Sequence, residues 1–457
     1  MPRLHVGGVQ PPLRFIPPMR RPWVRLLLRG LLPLLHRCQG VWRIEVAGGD
    51  DLARLFQAHQ RGELRLLLAF RHPSTRDPLV LAWLFWCALP RQARRQGLRL
   101  PQPCHAQFLY DRGVPLWAGA AVGWLLSRLG GIPIQRGKLD RQALRLARDV
   151  AARGPFPLAI APEGATNEHG DLIAPLEPGL AQIAFWTCDD LAAAGRDERV
   201  LIVPIGVRYE LLRPSWPRID ELLLLLERQL GVAAPAAGDP AFPSPEARRY
   251  GRLQAVSTAL LGAMEVFYRQ AHGLVFDANA PFVDRLARLR EAMLGLAEAR
   301  FGLRPQGTLQ ERCRRIEQAG WERIYRSDGQ QLSPVALGLA DWTAAEASLC
   351  LEHMHLVEPF AAISGHYVAE APTPDRYAEV LQILWRAVAW IEGRPGASPP
   401  SLGRSRARLQ VQAPIEVTER YAAYRRDRRR SVEALTAQVR QGLEATLLQA
   451  GADGARG

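Results

Sequence analysis

Leu64-Arg65-Leu66-Leu67-Leu68-Ala69-Phe70-Arg71-His72-Pro73-Ser74-Thr75-Arg76-Asp77 is the stretch from which the rest of the chain can be read. Its apolar run, Leu64 to Phe70, predicts a buried strand. Pro73 and Ser74 end the strand. Asp77 then opens a second apolar run, Pro78 to Leu89, which predicts a helix. His72 thus falls in a strand-to-helix loop, and Asp77 falls in the first helical turn, where the helix dipole favours a carboxylate. Such a carboxylate can hold one imidazole nitrogen and leave the other as a base. By itself the pair is equally a loop histidine beside a helix-capping aspartate.

Three downstream segments add to it. Gly130-Gly131-Ile132-Pro133-Ile134-Gln135-Arg136 offers glycines for a tight turn, then an arginine whose planar fork suits a phosphate. Leu158-Ala159-Ile160-Ala161-Pro162-Glu163-Gly164-Ala165-Thr166-Asn167 predicts a short strand ending in a Pro-Glu-Gly turn. Val200-Leu201-Ile202-Val203-Pro204-Ile205-Gly206-Val207 predicts an apolar strand punctuated by proline. Singly, these are a turn, a capped strand end and a buried strand.

In this order and spacing the four segments resemble the glycerolipid acyltransferase family, typified by 1-acyl-glycerol-3-phosphate acyltransferase. That family carries His-x4-Asp, Gly-x-Ile-Phe-Ile-Asp-Arg, Phe-Pro-Glu-Gly-Thr-Arg-Ser and a Val-Pro-Val strand. The resemblance runs from Leu64 to Tyr209. Its first block is intact. The second keeps Gly131, Ile132, Ile134 and Arg136, with Pro133 and Gln135 in place of Phe and Asp. The third keeps Pro162, Glu163 and Gly164 but reads Ala165-Thr166-Asn167 where Thr-Arg-Ser is usual. The missing arginine helps hold the acceptor's phosphate in the family. Thr166 and Asn167 offer only neutral hydrogen bonds, roughly half as strong as charge-assisted ones. Either Arg136, Lys138 or Arg141 compensates, or the acceptor is a lysophospholipid with a substituted head group.

The resemblance implies an α/β fold: a mixed sheet flanked by helices. It implies acyl transfer from an acyl thioester, on coenzyme A or acyl carrier protein, to a hydroxyl of lysophosphatidate or a related lysophospholipid, in phospholipid biosynthesis. His72 would be the general base and Asp77 its orienting anion. Arg136 and Lys138 would bind phosphate, Glu163, Gly164 and Thr166 would meet the acceptor, and Pro204 would shape the floor of the site. The acceptor oxygen attacks the thioester directly, so no protein nucleophile and no cofactor are expected. Ser74 lacks a Gly-x-Ser-x-Gly elbow, which argues against a serine hydrolase. Glycerol-3-phosphate acyl transfer is one alternative. A non-catalytic lipid-binding relative is another, motivated by the altered blocks and opposed by the intact His72 and Asp77.

The formal charge of +14 is carried almost wholly by arginine, Lys138 being the single lysine. No zinc spacing, RNP-like motif or basic zipper appears, so nucleic acid is not the expected partner. An anionic membrane surface is. No run reaches the ~18 to 20 apolar residues of a spanning helix. Trp23 to Cys38, interrupted by Arg25, Arg29 and Pro33, predicts an amphipathic helix, either lying in a membrane interface or packed on the core. The first apolar run comes late, with no small-residue cleavage site, so no signal peptide is expected. The expected location is the cytoplasmic face of a membrane, peripheral or monotopic. A second stretch, Val114 to Leu129, with Trp117 and Trp124, reads as core or as an acyl channel. Cys38, Cys87, Cys104, Cys188, Cys313 and Cys350 have no paired spacing and read as reduced thiols. His105 and His169 lie near the motifs in sequence, without metal-ligand spacing.

After Tyr209 the texture becomes helical: Glu221 to Leu230, Pro245 to Gln270, Pro281 to Phe301, Leu309 to Tyr325, Ser333 to Glu358 and Pro374 to Glu392, then a Gly/Pro/Ser-rich stretch from Gly393. A strand pattern returns at Arg406 to Val411, followed by a charged helix from Thr418 to Leu448. The expected organisation is a membrane-interface segment (1–60), an acyltransferase core (61–212), an all-α helical insertion (213–404), and a closing strand and helix (405–450) whose strand joins the sheet beside Ile202 to Val207. The tail after Gly451 is expected to be disordered.

Overall fold

The computed structural model describes residues 7–135, 139–233, 235, 240–362 and 366–454. Eight strands form one sheet: β1 (Val41–Ala47), β2 (Leu64–Phe70), β3 (Gln107–Asp111), β4 (Ile132–Ile134), β5 (Leu158–Ile160), β6 (Arg199–Leu211), β7 (Ser405–Val411) and β8 (Ile415–Glu416). Their order is β1-β7-β6-β2-β5-β3-β4, with β8 also on β6. From β6 to β4 every pairing is parallel, as is β1 with β7. β7 and β8 run antiparallel to β6.

Parallel strands carry helices on both faces, so their central members are apolar on both sides. All seven residues of β2 are buried. Leu64, Leu66, Leu68 and Phe70 pack in one core with α1 (Pro22–Cys38), α2 (Gly49–Gln60), α3 (Asp77–Trp83) and α4 (Leu89–Arg95). Leu67 and Ala69 face the other core. There they meet α7 (Arg141–Arg153), α8 (Gly179–Ala193) and α17 (Arg428–Gly454). Each such leucine stabilises the fold by about 1.5–3 kcal/mol. Arg65 is the polar exception in β2. Its guanidinium donates to the carbonyls of Ala151 at 2.9 Å and Gly154 at 2.6 Å, closing the C-terminal end of α7.

The helix expected over Pro78 to Leu89 forms, but a π-helical turn at Leu84–Ala88 joins α3 to α4. The wider turn accommodates four successive buried side chains, Leu84 to Cys87. Val114 to Leu129 is neither core nor one helix. Gly119, at φ +93°, breaks it into α5 (Val114–Ala118) and α6 (Ala120–Arg128), and Leu116, Trp117 and Trp124 are exposed. Residues 15–60, expected as a membrane-interface segment, belong to the unit that holds the sheet. β1 and α2 lie within them and pack in the sheet's core, because Leu52, Phe56 and Val41 bury against it.

The described chain divides into two compact units. One holds the sheet. The other comprises residues 7–14, 139 and 214–403, and it is helical: α9 (Trp216–Leu230), α10 (Pro245–His272), α11 (Phe282–Phe301), α12 (Leu309–Ile324), α13 (Pro334–Ala362), α14 (Tyr367–Glu370) and α15 (Pro374–Ile391). Arginine-carboxylate pairs tie its helices, among them Arg312 with Glu298 at 2.8 Å and Arg252 with Glu227 at 2.7 Å. Its N-terminal piece is held by Gln10, which pairs with the backbone at Ile324 and Arg326.

The chain leaves the sheet after β6 and re-enters it at β7. The Leu212 amide donates to the Arg404 carbonyl at 2.8 Å, so the two crossing points share one rung. The closing helix is broken by extended Asp427 into α16 (Tyr421–Arg426) and α17. Ala452 to Gly454, expected in a disordered tail, continue α17.

Candidate active site

β2 delivers the site by stopping. Pro73 cannot continue the ladder, and Asp77 starts α3 with Pro78 behind it. The five-residue offset brings the side chains together. His72 Nδ1 lies 2.7 Å from Asp77 Oδ2. The same oxygen accepts from the Ser74 amide at 3.0 Å. The Asp77 side chain has no exposed surface, whereas the His72 side chain keeps 24% of its own. With Nδ1 protonated toward Asp77, the Nε2 lone pair is the basic one. Among the described residues it has no hydrogen-bond partner.

Asp77 has a second holder. Tyr209, on β6, donates its hydroxyl to Oδ1 at 2.6 Å. Burial, then the Asp77 charge, pushes the Tyr209 phenol well above its ordinary value, so it stays a donor. The Arg76 guanidinium sits 4.0 Å from the centre of the Tyr209 ring and reaches Ser405 Oγ at the start of β7.

The Pro-Glu-Gly turn braces the loop from the other side. Gly164 takes the left-handed conformation, φ +73°, that the turn requires. Glu163, expected to contact the acceptor, is fully buried. Its Oε1 accepts from the His72 amide at 3.0 Å. Its Oε2 accepts from Asn167 Nδ2 at 2.6 Å and from the Ala174 amide at 3.0 Å. It therefore sets the His72 backbone rather than facing outward. Asn167 returns an amide bond to the His72 carbonyl at 3.3 Å. Arg71, also without exposed surface, donates to the carbonyls of His169 at 3.0 Å and Gly170 at 2.6 Å, fastening the following loop.

The other expected residues divide. Thr166 is half-buried in the turn beside Asn167. Pro204 does not floor the site: it pairs with Ala69 in the sheet and packs toward Gly442 of α17. Arg136 and Lys138 lie outside the described residues. Ser74 Oγ accepts from Arg76 Nε at 3.1 Å, an orientation set by Arg76 rather than by His72. His105 is remote from the pair, buried between the Trp86 indole and the Leu129 carbonyl, and burial pushes it down to about 4. No group of three or more His, Cys, Asp or Glu among the described residues could hold a metal ion.

The arrangement is a base held by a doubly anchored carboxylate at the end of a buried strand. The acyltransferase family model matches residues 43–208. No curated protein and no solved structure matches the chain. The match runs from β1 through most of β6 and supports an acyltransferase enzyme. The acyltransferase segment ends one residue short of Tyr209. Sequence reading missed Tyr209, Arg71 and Arg76 as site residues. Strand alternation offered a signal: Val203, Ile205 and Val207 share a face, and Tyr209 is the next residue on it.

Proposed function

We propose that the protein transfers a fatty acyl group from an acyl thioester of coenzyme A or acyl carrier protein to a free hydroxyl of lysophosphatidate or a related lysophospholipid. The His72–Asp77 contact carries this reading. His72 Nε2 takes the hydroxyl proton as the acceptor oxygen attacks the thioester carbonyl. Asp77 stabilises the imidazolium that forms. Collapse of the tetrahedral intermediate breaks the C–S bond, and the imidazolium returns its proton to the departing thiolate. The acceptor becomes an ester, the donor a free thiol, and the enzyme is unchanged. Arg136 and Lys138 are proposed to meet the acceptor's phosphate, and phospholipid synthesis at the cytoplasmic face of a membrane is the proposed setting.

No helix among the described residues is long and apolar enough to cross a membrane. The support for surface attachment is α1, which exposes Trp23, Leu26, Leu27, Leu31 and Leu34. The test is direct. Purified protein is incubated with labelled acyl-CoA and acyl carrier protein donors and with lysophosphatidate, head-grouped lysophospholipids and glycerol 3-phosphate. Ester formation abolished by His72→Ala supports the reading. No ester from any combination, or ester formed equally by the variant, rejects it.

A further inference from the structure

α1 presents two faces. Arg25, Arg29, Leu32 and His36 share one stripe by their spacing, and Leu32 and His36 are buried. Trp23, Leu27, Leu31 and Leu34 lie on the opposite stripe and are exposed. Arg25, half-buried, is therefore on the side turned toward the body of the sheet unit, and Arg29, exposed, lies one turn along the same stripe. A cavity of about 400 Å³ opens beneath them. Arg94 of α4 lines it as well, and Trp86, Leu98 and Leu100 supply apolar wall.

The cavity concentrates cations without a counter-charge. Among the described residues none of Arg25, Arg29 and Arg94 pairs with a carboxylate, and Arg94 Nε donates only to the Pro90 carbonyl, at 3.2 Å. Burial, then the neighbouring Arg29, pushes the Arg25 guanidinium below its ordinary value. Cys104 also lines the cavity, but burial pushes its thiol up to about 12, so it supplies no anion. The half-buried Arg25 and the neighbouring Arg29 repel one another, and together with the exposed Arg94 at the rim they are stabilised when an anion enters. Their forks match phosphate oxygens.

The cavity is not the His72 site. Gln57 and Gln60 at the end of α2 donate to the carbonyls of Arg99 and Gln102, which places the loop lining the cavity beside the start of β2. His72 follows the far end of β2, whose seven residues span roughly 20 Å.

We propose that this cavity is a second anion site. It takes a phosphate-bearing amphiphile, with the phosphate on Arg25, Arg29 and Arg94 and the chain along Trp86, Leu98 and Leu100. The exposed apolar stripe of α1 makes a membrane phospholipid the source, rather than free phosphate. The inference does not depend on acyl transfer, and its test reads no turnover.

The full chain is titrated with labelled dioctanoyl phosphatidate below its micelle-forming concentration, and bound equivalents are counted by equilibrium dialysis. The triple variant Arg25→Gln, Arg29→Gln, Arg94→Gln should lose one bound equivalent, or bind it about tenfold or more weakly. A control with the same charge change on arginines outside the cavity, Arg43→Gln, Arg95→Gln, Arg145→Gln, should bind as the unaltered protein does. Equal losses in both variants would mean diffuse surface charge and overturn the site. Unchanged binding by the cavity variant would overturn it too. Inorganic phosphate displacing that equivalent at the same concentration as the lipid would overturn the lipid assignment.

Discussion

The Tyr209 hydroxyl donates to Asp77 Oδ1 at 2.6 Å, while Asp77 Oδ2 holds His72. Both carboxylate oxygens are thus committed, and the orientation of the imidazole depends on a residue 132 positions from Asp77. Tyr209→Phe removes one charge-assisted bond, worth about 1.5–3 kcal/mol, and leaves the ring under Arg76 in place. The maximal rate should fall about tenfold or more with the acceptor KM little changed. An unchanged maximal rate in a variant that folds normally would mean that Tyr209 only packs.

His72→Ala should lower acyl transfer by at least ~10²–10⁴-fold. Asp77→Asn should also lower it heavily, because the imidazole loses its orienting anion. Thermal melts would separate the two: His72 is partly exposed and its loss should leave stability near normal, whereas Asp77 is buried with three partners.

Glu163→Gln replaces one of two acceptor oxygens, now serving three N–H donors, with a donor group. At least one buried donor then lacks a partner, at a cost of about 1–3 kcal/mol. The variant should melt lower and lose activity through displacement of the His72 backbone. Activity lost without any change in acceptor KM would support the bracing role. A selective rise in acceptor KM with an unchanged melt would restore Glu163 as a substrate contact.

Leu27→Ser, Leu31→Ser and Leu34→Ser together should reduce flotation with anionic vesicles and leave the melt unchanged, since all three are exposed. Each side chain buried in an interface is worth about 1.5–3 kcal/mol. Flotation equal to that of the unaltered protein would leave this face without a role in membrane attachment.

A chain ending at residue 403 should not fold its sheet, because β7 fills the space between β1 and β6 with seven paired positions on the β6 side. Replacing residues 214–403 with a short Gly/Ser turn should leave the sheet folded, because Leu212 and Arg404 already share a rung and loop closure grows only logarithmically with length. A soluble 1–403 fragment with a cooperative melt would falsify this.

The sequence by itself determined the local events. A buried apolar run stopped by Pro73 reads as a strand ending in a loop, and Asp77 before Pro78 reads as the opening of a helix, so His72 and Asp77 were legible as a pair. The helices of the second unit were legible as well, because their apolar spacing and their Gly and Pro breaks are properties of neighbouring residues. Only the tertiary structure decided who completes the site. Glu163 looks like a polar contact in a turn, and only the packing of β5 beside β2 turns it inward to the His72 amide. Tyr209 reads as an ordinary strand residue until β6 lies parallel to β2 and its hydroxyl reaches Asp77. The direction of Arg25 and Arg29 was likewise set by packing. Amphipathic spacing says that α1 has two faces, but which one the sheet unit covers depends on Leu32 and His36 finding partners distant in the chain.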